Sequence, residues 1–119
     1  MLPKSHQKFY QQFLASLITL RDQIMMKDID LGRLYQNFQA AQEIFQDKIS
    51  GLTIESLENT VVSPWQSIQI EIHRTSRLLR IDLLFLRSSY KQKTEEQRLE
   101  SVLSRIEKLI NYCQVILTT

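Results

Sequence analysis

The chain has 119 residues, 43% apolar and 24% charged, with two Gly, two Pro and a formal charge of +2. That length makes one domain, which buries roughly two-thirds of its unfolded surface without a metal or disulfide staple, and the composition excludes a disordered or collagen-like chain. So few Gly and Pro argue for a few long helices, and so small a net charge selects neither nucleic acid nor membrane as a partner.

The first helix opens near Pro3–Ser5, with Ser5 as N-cap, and stops near Lys27. Phe9, Phe13, Leu17, Leu20 and Ile24, with Tyr10, Leu14 and Ile18 beside them, recur at spacings of three and four and form one apolar face. Asp30 caps the second helix, whose face is Leu31, Leu34, Tyr35, Phe38, Ala41, Phe45 and Ile49. Ser50-Gly51 ends it. Glutamines on these two helices read as a solvated face.

Residues 52–63 form a crossing connection in which Thr60-Val61-Val62 favours extended chain. Ser63-Pro64 then announces the third helix, Ser as N-cap and Pro at the first helical position. It runs to about Tyr90, roughly 40 Å at 1.5 Å per residue. Thr94-Glu95-Glu96-Gln97 is a capping box for the fourth helix. Its face is Leu99, Val102, Leu103, Ile106, Leu109, Ile110, Cys113 and Leu117. Two short connections and one longer one predict an all-α antiparallel four-helix bundle over 1–119.

The third helix carries most of the information. Trp65, Ile68, Ile72, Leu79, Leu83, Leu86 and Tyr90 form its core stripe, with Leu79 set at 0°. Leu78, Ile81, Leu84 and Phe85 fall outside that stripe, at about 140° to 260°, where a bundle helix is normally polar. Such a helix needs cover on a second side. Either 52–63 supplies it or another protein does, and a self-interface through Ile81, Leu84 and Phe85 in a homodimer is the expectation. Asp82 lies between two apolar sectors with no basic residue within a turn of its own helix. Burying a lone carboxylate costs several kcal/mol. A structural ion pair from another helix is therefore expected, with Arg21, Arg33, Arg105 or a tyrosine hydroxyl as candidate partners.

The polar sector of this helix is basic. His73, Arg77, Arg80, Arg87 and Lys91 line one side, and residues 71–93 hold six Lys or Arg against two acids. The stripe reads as a partner-binding surface for an acidic protein, an arrangement that favours specificity and on-rate. Duplex DNA would require a helix-turn-helix and a clearly basic domain, and neither is present.

Catalytic and cofactor chemistry leaves no trace in the pattern. No ligand spacing for a metal, no Gly-rich phosphate loop and no nucleophile elbow is found. Cys113 sits on an apolar face as a small core residue. A single cysteine, no signal-peptide pattern and no apolar run of spanning length place the chain in the cytoplasm, off the membrane. Histidine-phosphotransfer modules are helical bundles of similar length, and His73 is the candidate phosphoacceptor in that alternative. They usually carry Lys and Gly three and four residues after the histidine, where this chain has Ser76 and Arg77.

Trp65-Gln66-Ser67, Glu71-Ile72-His73-Arg74, Arg77-Leu78-Leu79 and Asp82-Leu83-Leu84-Phe85-Leu86-Arg87 together resemble the core signature of the PatD family, cyanobacterial heterocyst frequency control proteins. The resemblance covers most of the chain. It implies a non-enzymatic regulator that limits heterocyst frequency, with the cell-division protein FtsZ as partner. It carries over no catalytic residue, no cofactor and no residue-level binding motif.

Overall fold

A computed structural model describes residues 4–26, 29–49, 59–87 and 92–118; within these the side chains of Leu31, 59–64, Arg87 and 92–95 are left out of the description. The helices are α1 Lys4–Ile24, α2 Leu31–Ile44, α3 Asn59–Arg87 and α4 Gln92–Leu117. They form an all-α four-helix bundle about 50 Å long and 20 Å across. No strand occurs among the described residues.

Each helix buries the stripe that its spacing defines. Phe13, Leu17 and Leu20 of α1 meet Leu34, Phe38 and Phe45 of the second segment, Leu79, Leu83 and Leu86 of α3, and Ile106 and Leu109 of α4 in one core. Cys113 belongs to it as well. Burial of this kind contributes about 1.5–3 kcal/mol per large apolar side chain before conformational entropy is subtracted. Ile68 is only half-buried, and Tyr90 lies outside the described residues.

Several boundaries differ from the sequence expectation. α1 begins one residue before Ser5, which is therefore helical, and it ends at Ile24. α3 begins at Asn59, so Thr60-Val61-Val62 is helical, Ser63 is not its cap, and Pro64 lies in the second turn. β-Branched residues cost a helix only a few tenths of a kcal/mol each. A proline this close to the end forfeits a single hydrogen bond. Neither penalty stops propagation. α4 begins at Gln92, which places Thr94 inside its first turn, and the expected ends at Ser50-Gly51 and Tyr90 lie outside the described residues.

Asp30 does cap α2: its backbone is extended and its Oδ1 accepts from the Arg33 N–H at 3.2 Å. The second segment continues past Ile44 as one turn of π-helix, Phe45–Ile49. At 100° per residue Ile49 would stand about 60° off the line through Leu34. A turn that takes more residues rotates each by less and brings Ile49 back to the core, where it is fully buried.

The bundle closes unequally. α3 packs on α4, α4 on α1, and α1 on α2, but α2 and α3 barely meet.

Candidate functional site

α2 and α3 run antiparallel and are stapled at two levels. Near one end the Tyr35 hydroxyl donates to the carbonyl oxygen of Leu83. Near the other, the Phe45 ring stands edge-on to His73, 4.7 Å between centroids. Beyond His73, Gln69 Nε2 donates to the Ile49 carbonyl at 3.0 Å. Between the staples the helices part around a groove of about 520 Å³ walled by Phe38, Gln39, Gln42, Glu43, Gln46, Arg80, Leu83 and Leu84. A second hollow of about 170 Å³ continues it past Ser76 and Arg77 to His73, sharing Gln42, Gln46 and Arg80.

The charge of this groove is one-sided. His73, Arg77 and Arg80 are exposed along the α3 wall, and neither arginine makes an ion pair with a described residue. Opposite them Glu43 stands among three glutamines. Burial, and secondarily the Arg77 charge, hold the His73 imidazole below its ordinary value. The side chain is therefore mostly neutral near pH 7, and the standing positive charge belongs to the arginines. The Arg87 side chain and Lys91, the other members of the predicted stripe, lie outside the described residues.

The predicted self-interface divides. Ile81, Leu84 and Phe85 are 40%, 54% and 47% exposed. Leu84 turns into the α2–α3 groove. Phe85 leans the other way, with the Arg98 guanidinium of α4 4.6 Å from its ring centroid. Ile70, not anticipated, is the most exposed apolar side chain among the described residues of α3, at 65%. Whether 52–58 covers any of this patch lies outside the described residues.

Asp82 pairs across helices. Arg105 Nε of α4 donates to its Oδ2 at 3.2 Å, with 13% of the aspartate side chain and 30% of the arginine exposed. Of the candidate partners, Arg105 is the one within reach.

Sequence reading missed a buried polar relay behind His73. Trp65 Nε1 donates to the Tyr10 hydroxyl at 3.0 Å, Tyr10 donates to Gln69 Oε1 at 2.5 Å, and Gln69 reaches the Ile49 carbonyl. Each polar atom of the relay is satisfied by the next, so three polar side chains are buried at little cost. A signal existed. Gln69 lies four residues after Trp65 and three before Ile72, which is core spacing. Ser76 is also buried, 6% exposed, and its hydroxyl has no hydrogen-bond partner among the described residues.

Burial pushes the Cys113 thiol up to about 12, so the thiolate is rare at neutral pH. Among the described residues no three His, Cys, Asp or Glu side chains converge as metal ligands. His73 is exposed, yet its neighbours are a phenylalanine ring and a guanidinium rather than the small flat surface a receiver protein needs. Among the described residues no helix is long and apolar enough to cross a membrane. Compared with family models, curated proteins and solved structures, the chain finds no match.

Proposed function

We propose that this protein is a non-enzymatic regulatory adaptor, working in the cytoplasm by binding another protein through the α2–α3 side of its bundle. The observation that carries the reading is the sparsely packed seam whose α3 wall holds two arginines that make no ion pair with a described residue. Exposed arginines on one wall favour the approach of an acidic surface, through specificity and on-rate. The resemblance to the PatD family gives the partner and process: FtsZ, in the control of heterocyst frequency and cell division. Ile81 and Phe85, which lie outside the groove, support a homodimer, the commonest symmetric assembly of soluble proteins.

The test is binding of the purified chain to purified FtsZ at two salt concentrations, with light scattering on the chain alone. Binding that weakens with salt and is lost in Arg77→Glu/Arg80→Glu, a variant that retains wild-type helicity, supports the adaptor reading. No binding at either salt removes FtsZ. The dimer is tested by Ile81→Glu, which leaves the groove intact. A wild-type monomer at high concentration removes that part.

A further inference from the structure

The groove between α2 and α3 is a shaped site, and its occupant can be described chemically. We propose that it receives one amphipathic helix of a partner protein, about three turns long, in which a turn of apolar residues is followed within two turns by acidic ones. This rests on the adaptor reading above and adds the form and sequence pattern of the ligand.

Both walls of the groove are helices whose backbone groups bond internally. No strand edge is on offer, so recognition falls to side chains, as in helix-in-groove binding. The distance between the staples sets the length. Tyr35 and Phe45 are ten residues apart on one wall, about 15 Å of helix axis, or roughly three turns. At the Tyr35 end the half-exposed Leu84 supplies apolar surface, with the buried Phe38 and Leu83 at its base. Toward the Phe45 end the α3 wall becomes cationic with Arg80 and Arg77, and the neutral His73 follows them.

The ligand must repeat that gradient. Its apolar residues, spaced three and four apart, settle over Leu84. Its carboxylates face Arg80 and Arg77 and turn away from Glu43 on the α2 wall. A bound carboxylate also favours protonated His73. Proton uptake should therefore accompany binding as pH falls toward the ordinary histidine range. Groove glutamines donate or accept without adding charge, which suits a rim that must accept more than one register.

A designed alanine-rich helix of about sixteen residues is the probe, carrying two leucines four apart and two glutamates one turn further on; a second peptide replaces both glutamates with lysine. Calorimetry with the full chain should show the glutamate peptide binding at least about tenfold tighter than the lysine peptide. Arg77→Glu/Arg80→Glu should reverse that preference, which a variant that had merely unfolded would not do. Gln42→Trp, which fills the groove from the α2 side, should abolish binding of both peptides while its helicity stays at the wild-type level. Equal binding of the two peptides, or glutamate-peptide binding unchanged by Gln42→Trp, overturns the inference. So does a groove closed by a second copy, seen as a wild-type dimer that Gln42→Trp converts to monomer. Failure is distinguishable from failure of the adaptor reading. A partner protein that binds wild type and Gln42→Trp equally removes the groove and leaves the adaptor. A peptide that binds as described while FtsZ does not leaves the groove and removes that partner.

Discussion

Two seams of one bundle have opposite characters. Where α3 meets α4, aliphatic stripes interlock from Ile72 to Leu86 and from Val102 to Ile116, with Asp82–Arg105 as a polar stitch at the edge. Where α2 meets α3, a similar apolar floor lies beneath long polar side chains, the glutamines on the α2 side and the arginines of α3, and the described residues of the two helices pack far more sparsely. The lesson concerns width. A helix closes against a neighbour when its apolar arc spans the angle between its two contacts. α2 spends its narrow arc on α1, leaving Gln42, and Gln46 of the π-turn that follows, to face α3. Closed seams supply stability, and the open one leaves charge unpaired.

The largest test of that contrast is Leu79→Ala on the closed side. It should cost about 2–5 kcal/mol in denaturant unfolding, through lost burial and a residual cavity. A cost under about half a kcal/mol, the range of surface positions, would mean the closed core is misplaced. Tyr10→Phe comes next. It removes the acceptor of Trp65 Nε1 and the donor to Gln69, leaving two buried groups unsatisfied, for about 2–3 kcal/mol. An unchanged unfolding midpoint would show the relay to be reachable by water.

Asp82→Ala should cost only about 1 kcal/mol, since both partners keep some exposure and Arg105 can turn to solvent. Asp82→Asn should cost less, because an amide oxygen still accepts from Arg105. At the open seam the sign reverses. Ser76→Ala removes a buried hydroxyl that makes no hydrogen bond among the described residues, and should stabilise by up to about 1 kcal/mol. A loss instead would reveal a bond that the hydroxyl makes in solution.

The smallest effect is with pH. Burial lowers the pKa of His6, and burial with the Arg77 charge lowers that of His73. The fold prefers both neutral. Their contribution is complete above the ordinary histidine pKa of about 6.5 and is lost as pH falls through the lowered folded values. Unfolding curves at stepwise pH should fall off below pH 6.5. The double variant His6→Gln/His73→Gln should flatten that slope.

Much of the molecule was legible in one dimension because helix formation and apolar periodicity are local. Spacings of three and four gave the four segments and their buried faces. Asp30 announced its cap, and an aspartate flanked by leucines announced its need for a cation. Helix ends were less legible, since the penalties at Thr60-Val61-Val62 and Pro64 are smaller than the gain from extending a helix that has already formed. The basic side of α3 could be read as a stripe, but its opposite wall could not. The same glutamine pattern serves a solvated face or a groove rim.

What the sequence alone determined was the helical class, the core stripes and the surplus charge on α3, each a property of neighbours within a turn or two. Tertiary structure decided which pair of helices stays apart, which arginine answers Asp82, and that Trp65 and Gln69 meet Tyr10 across 55 and 59 residues. These depend on how far each helix rotates and slides against the others. That balance is set by the summed packing of many side-chain volumes at once, and no single segment of the chain encodes it.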